Sequence, residues 1–335
     1  MRKVKIIIAW ILVSVILQCT GLFFLDKFYF KDNTDVEMQQ VSIHKTEEKP
    51  EVHVDIPSDA TDVKVSYDGK YVTYNDGYEA NMYDTSNGEI KTFSNSDDKQ
   101  ILKLTWLADR NKLLILERDG YDIALYNYDP DKGTNEKMVD ICSYSSEYKT
   151  FDIKASTITG VTYVRVANMV YRVDINQSQA VAVPLVVRSL GSLALMPTKD
   201  RLVYMAKNGQ VVHLTQPTER VALTSSQKLD ILGVDAEGVA YIGEGNGKTV
   251  SKIIKKDLDN TDVRSTTITL SEPVNPKEIF IGENGEVFVN YESKHMVKEM
   301  KSGKETKYDG KFLSIYNKGV ASLVDNKYYK TKFGK

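Results

Sequence analysis

Hydrophobic positions follow two different patterns along this chain. Residues 6–25, IIIAWILVSVILQCTGLFFL, run without a charged side chain. At about 1.5 Å of helical rise per residue, such a run matches a bilayer hydrocarbon core of about 30 Å, and a transmembrane helix is expected there. From residue 51 onward the apolar positions fall into short alternating stretches cut by Gly, Asn and Asp turns. A period of two with frequent turns predicts an all-β chain and excludes a helical solenoid. Residues 31–50 are polar, without periodicity, and end in a charged patch with proline; they read as a solvated stalk.

The β region repeats itself. DVKVS, KYVTYN, EANMYDT and EIKTF form a first four-strand unit within residues 62–93, and LKLTW, KLLILE, DIALYNYD and NEKMVDI form a second. Four further units parse the same way. Turns between third and fourth strands recur near Asn87, Asp131, Asn176, Pro217, Asn260 and Gly303. This spacing of roughly 40–45 residues is that of a four-stranded propeller blade. The tail supplies three strands only (KFLSIY, GVASLV, NKYYKTKF), and VHVDI at residues 52–56 alternates as a fourth would. The expected fold is therefore an all-β propeller of seven four-stranded blades, the last one closed by this N-terminal strand. Six or eight blades also fit, because the third and sixth units are weakly marked.

The expected organisation is a cytoplasmic tail at 1–5, a membrane anchor at 6–25, the stalk at 26–50 and an extracytoplasmic propeller at 51–335. Arg2, Lys3 and Lys5 precede the apolar run and place the N-terminus inside. Phe28, Tyr29 and Phe30 follow as an aromatic belt. Two alternatives to an uncleaved anchor are a signal peptide cut near Cys19-Thr20-Gly21 and a lipoprotein, though LFFL extends the run past the first and Gln18 precedes Cys19 in the second.

Composition narrows the chemistry. The net charge of −2 offers no field to attract nucleic acid. Cys142 is the single cysteine of the folded region, so that region has no internal disulfide. Four scattered histidines, His44, His53, His213 and His295, with no CxxC or HExxH pattern, give no case for zinc, and no cofactor is expected.

The stretch Ser66-Tyr67-Asp68-Gly69-Lys70-Tyr71-Val72-Thr73-Tyr74 resembles the S-x-D-G-x-x-aliphatic-x-aromatic repeat of TolB-like propellers, also found in propellers of the prolyl-oligopeptidase group. Asp and Gly form the tight turn between a blade's first two strands, and the following alternation buries one face. Trp106 to Leu113 holds a degraded copy, and later units keep only small turns such as Asp235-Ala236-Glu237-Gly238 and Gly282-Glu283-Asn284-Gly285. The resemblance implies a propeller and no particular partner. The hydrolase domain that accompanies some of these propellers has no counterpart here, since no GxSxG is present.

Residues 243–249, GEGNGKT, look like a phosphate-binding loop, but Ile242 stands where a Walker motif needs glycine, so a hairpin is expected. The acidic clusters at 129–133 and 257–262 lack calcium-loop spacing and read as turns. More informative are the loops joining second to third strands, which a propeller gathers on one rim. They carry Asp76 and Tyr78, then Arg118, Asp119 and Tyr121, then Asn208, Lys248, Glu292 and His295. Mixed charge with aromatic rings suits a protein or glycan surface. The expectation is a non-enzymatic binding or scaffold module on the outer side of a bacterial-type cytoplasmic membrane, with an envelope protein or polysaccharide as partner. The contrary reading is an extracellular enzyme acting on glycans or peptides, with Asp76, Asp119 and Glu292 as acid and base.

Overall fold

A computed structural model of the chain describes residues 2–24, 56–76, 79–96 and 98–334. The chain divides into two units, 1–49 and 50–335. In the first, the uncharged run forms one helix, α1 (Arg2–Phe24), 23 residues long. Its described large apolar side chains are open, Trp10 at 71% and Leu17 at 70% exposure. Among the described residues no helix is long and apolar enough to cross a membrane. The stalk at 26–50 lies outside the described residues.

The second unit is a seven-bladed β-propeller. Its blades span residues 61–93, 99–143, 151–182, 190–222, 228–274, 279–307 and 311–332. Each is an antiparallel sheet whose strands follow chain order, four in blades 1 to 6 and three in blade 7 among the described residues. From blade 7 through blade 1 to blade 6 the first strands lie side by side, so they form the inner ring. Alternation explains the packing. Both faces of a blade are covered by neighbours, so second strands are buried almost throughout, as in Tyr71–Asn75 and Leu113–Asp119. Seven apolar clusters fill the seven seams between adjacent blades.

Polar hooks reinforce the seams on the face bearing the turns between first and second strands. The Tyr71 hydroxyl of blade 1 donates to Asp131 of blade 2 at 2.7 Å, and Lys70 pairs with the same carboxylate at 2.7 Å. Tyr163 of blade 3 donates to Asp200 of blade 4 at 2.7 Å, and Lys199 of blade 4 pairs with Asp259 of blade 5 at 2.6 Å. The carboxylates satisfy the hydroxyls of Tyr71 and Tyr163, which burial between blades would otherwise strand, while the lysine pairs lie at the partly exposed edge of the seams.

The Ser66–Tyr74 turn behaves as its chemistry requires. Asp68 accepts from the Lys70 amide at 2.8 Å, Ser66 Oγ accepts from the Tyr71 amide at 3.0 Å, and Gly69 takes φ +75°. The same glycine abuts blade 7: a Cβ there would stand 2.9 Å from Lys330 Cδ and 3.2 Å from the Tyr328 hydroxyl. The turn thus also closes the ring.

Of the predicted closing strand, residues 52–55 lie outside the described residues and Ile56 is described. Its amide donates to the Asn326 carbonyl of blade 7 at 3.0 Å. Its side chain, 1% exposed, packs with Val65 and Val72 of blade 1 and Ala321 and Leu323 of blade 7. One expected strand is much shorter than the alternation suggests. Blade 3's outer strand covers only Val181–Ala182 instead of 179–185, because Pro184 has no amide for the ladder and the chain turns toward blade 4.

Candidate interaction rim

Antiparallel order puts the loops between second and third strands on one face, together with the connections from blade to blade. On blade 2 the rim loop is held rigidly. The Arg118 guanidinium stacks over the Tyr144 ring at 4.7 Å and donates to the Gly120 carbonyl at 3.0 Å. Asp119 accepts from the Tyr126 hydroxyl at 2.7 Å and pairs with Lys137 at 3.3 Å. These two contacts, the hydroxyl first, hold its carboxyl below the usual range. Tyr121 projects from this loop with 91% of its surface exposed.

On blade 1, Asp76 staples its own loop, accepting from the Glu79 amide at 2.9 Å and from Asn81 Nδ2 at 3.0 Å. Tyr78 lies outside the described residues. On blade 4, Asn208 occupies the left-handed turn position at φ +60°. Lys248 sits exposed at the tip of the blade 5 hairpin, its amide bound to Asn246 Oδ1 at 2.8 Å. The 243–249 segment is thus a β-hairpin end, as its failed Walker spacing indicates. The acidic clusters are turns as well: Asp257 caps the amides of Asp259 and Asn260 at 2.9 and 2.8 Å.

Blade 6 carries a more unusual arrangement. Glu292 begins a short 3-10 turn, and His295 ends it at φ +47°, its Nδ1 2.9 Å from the Gly310 carbonyl oxygen. Beside them a cleft of about 290 Å³ is lined by Glu272, Glu278, Asn290, Glu292 and Ser293. Asn290, fully buried, donates to Glu278 and accepts from the Tyr308 hydroxyl at 2.7 Å. Burial, and then the charge of Glu292, push the Glu278 carboxyl up. Burial raises the Tyr308 hydroxyl to about 12. Glu278 and Asn290 went unnoticed in the sequence because their coupling joins a connection to a strand 12 residues away. Among the described residues no group of three or more His, Cys, Asp or Glu is placed to hold a metal ion.

A second cleft, of about 460 Å³, opens between blades 4 and 5 and is lined by Gly191, Lys207, Asn208, Lys228, Asp230 and Gly247 among others. Asn208 joins this cleft and Glu292 the blade 6 one, whereas Asp76 and Asp119 stand on blades 1 and 2 with their carboxylates engaged locally. Lys207 belongs to the rim loop Lys207-Asn208-Gly209 that the sequence marks, whereas Lys228 went unnoticed, since a lysine beside a turn is ordinary until the neighbouring blade is in place. Sequence reading also missed blade 3's rim turn, where Ala167 adopts φ +55° without any glycine or asparagine at that position to mark it.

Comparison with protein-family profiles and with curated proteins gives no match. Solved structures do match. A chain of a structure titled "Crystal Structure of Mitotic Checkpoint Complex" aligns with a TM-score of 0.55 at 12% identity, covering 84% of this chain and 95% of that one. "YCF48 bound to D1 peptide" aligns at 0.49 and 13% identity, covering 85% of this chain and 93% of that one. Hydrazine synthase from Kuenenia stuttgartiensis aligns at 0.47 and 10% identity, covering 71% and 76%. At 12% identity the first of these likenesses speaks for the fold alone, that of a β-propeller.

Proposed function

We propose that this chain is a membrane-tethered, extracytoplasmic propeller whose rim binds an envelope protein or polysaccharide. One observation carries the binding reading. The rim carboxylates Asp76 and Asp119 are committed to partners within their own blades, while Tyr121 and several lysines stand open to solvent. An amphipathic ring beside uncommitted charge is what a recognition surface offers.

The tether rests on α1. Its 23 residues extend about 34 Å at 1.5 Å per residue, enough for a bilayer core of about 30 Å. Among the described residues no helix is long and apolar enough to cross a membrane, and the tether is proposed on the whole uncharged run at 6–25 of the sequence. Basic Arg2, Lys3 and Lys5 favour an inside N-terminus. The turn at Ser66–Tyr74 supports kinship with TolB-like propellers.

The enzymatic alternative draws its support from blade 6, where Glu278 is raised beside Glu292 in a cleft. Crosslinking in intact cells separates the readings, with full-length protein compared against the helix and stalk alone. Specific envelope proteins or glycans captured through the propeller, and unaffected by Glu278→Gln, support the binding module. Capture by the stalk alone, or a glycan- or peptide-cleaving turnover abolished by Glu278→Gln, would refute it.

A further inference from the structure

Charge on the rim is sorted by blade. Asp76, Glu79, Asp98, Asp119 and Asp122 belong to the rim segments of blades 1 and 2, where Lys99 pairs with Glu117 at 3.1 Å and Arg118 is stacked on Tyr144. Arg188, Lys207, Lys228 and Lys248 belong to those of blades 4 and 5; all four are exposed, and none has an ion pair among the described residues. The nearby carboxylate of Glu244 does not neutralise them, because it is bound by Ser225 Oγ and by Lys252 at 2.9 Å. Asp230 is the one acid lining the 460 Å³ cleft between these blades.

Resting on the rim-binding proposal, we infer that this cleft is the docking site for a linear polymer whose charge is carried by phosphate groups, held by Lys207 and Lys228 of its lining and by Lys248, exposed on the adjoining hairpin tip. The geometry favours such a ligand in three ways. Lysine presents a compact point charge with rotatable donors, which accepts a phosphate in many orientations, whereas planar bidentate recognition would call for arginine. No aromatic ring lines the cleft, so stacking on a neutral sugar is not offered and charge does the selecting. Leu229 and Val250, its larger apolar lining residues, are 7% and 3% exposed, so the apolar anchor pocket that a protein partner would need is missing.

The hairpin fixes one of the three cations. Gly247 takes φ +89°, and a Cβ there would lie 2.6 Å from Lys228 Cδ. The missing side chain lets the lysine stem lie across the hairpin with its ammonium at the cleft. Lys207 is fixed from the other side, its amide donating to the Ser189 carbonyl at 2.9 Å.

The test uses the full chain in detergent and inorganic polyphosphate as probe, with poly-glutamate as the acidic-peptide comparator. The triple variant Lys207→Gln, Lys228→Gln, Lys248→Gln is set against Lys132→Gln, Lys301→Gln, Lys304→Gln, which removes equal charge from exposed positions on the opposite face. The proposal expects affinity for polyphosphate to fall about tenfold or more in the first triple and to stay within about twofold in the second. The log–log salt dependence of binding should lose about two to three units of slope in the first triple alone. Equal losses in both triples would reduce the effect to net charge and overturn the site. Poly-glutamate binding as tightly as polyphosphate would overturn the phosphate assignment in favour of an acidic peptide. An unmodified chain that ignores polyphosphate would also overturn this inference, yet rim crosslinks to another partner would leave the rim-binding proposal standing.

Discussion

Asp131 holds both Lys70 and Tyr71 across the seam between blades 1 and 2, and those two contacts, the lysine first, keep its carboxyl below the ordinary value of 3.8. A depressed carboxylate stabilises the fold above its ordinary value and stops doing so as pH falls through the folded value. Asp131→Asn should therefore melt earlier than the parent at pH 7, with the difference vanishing in acid. The side chain is 56% exposed, so screening holds the loss to about 1 kcal/mol or less, roughly 1–3 °C. Glu278 has the opposite sign. Burial raises its folded value, so the native state binds the proton more tightly and stability declines as pH rises above the ordinary 4.5. Glu278→Gln keeps an acceptor for Asn290 and should match or exceed the parent's melting temperature at pH 7, losing that advantage in acid. A variant that melts earlier at pH 7 would contradict the assignment of burial as the dominant cause. At this scale little of the site was legible in the sequence. Asp76 and Asp119 were picked out as rim acids, but their engagement by Asn81, Tyr126 and Lys137 depends on neighbouring strands of the same blade.

At the scale of elements, strands were legible because burial on both faces and turn residues at their ends act locally. The first strand pair of blade 1 was expected at 62–66 and 70–75 and lies at Thr61–Val65 and Tyr71–Asn75. What depends on neighbours was not legible, as blade 3's two-residue outer strand and the Ala167 turn show. The seams also differ in strength. Between blades 6 and 7 the cluster holds three buried residues, Val297, Tyr308 and Val320, against fourteen between blades 4 and 5. A cleft of about 280 Å³ opens beside Phe288, Val297 and Phe333 at that thinner seam. Apolar burial sets local opening free energies, so amide exchange should be fastest in the strands flanking blades 6 and 7. Slowest exchange there would contradict this ranking. The closing position offers a sharper case. Ile56→Ala removes a side chain buried between blades 7 and 1 and should cost about 2–4 kcal/mol in chemical denaturation. Ile90→Ala, at a site 52% exposed, should stay within about 0.5 kcal/mol.

For the molecule as a whole, the propeller was legible from the repeat period, since a blade is the smallest unit that reproduces both the strand alternation and its turns. The partner was not, because a ring of loops acquires meaning only when distant blades bring their residues together. The gathering of exposed rim cations without ion pairs on blades 4 and 5, while the segments of blades 1 and 2 are richer in acids, is a property of the closed ring and of no single repeat. The central claim is that a tethered propeller recognises its partner through this rim. Its most direct test is a photo-crosslinking residue placed singly at Tyr121 and Lys248 on the rim, and at Asn87 and Lys132 on the opposite face, in the full-length protein in intact cells. The account predicts discrete adducts from Tyr121 or Lys248 and none from Asn87 or Lys132. Adducts confined to Asn87 and Lys132, or equal from both faces, would contradict it.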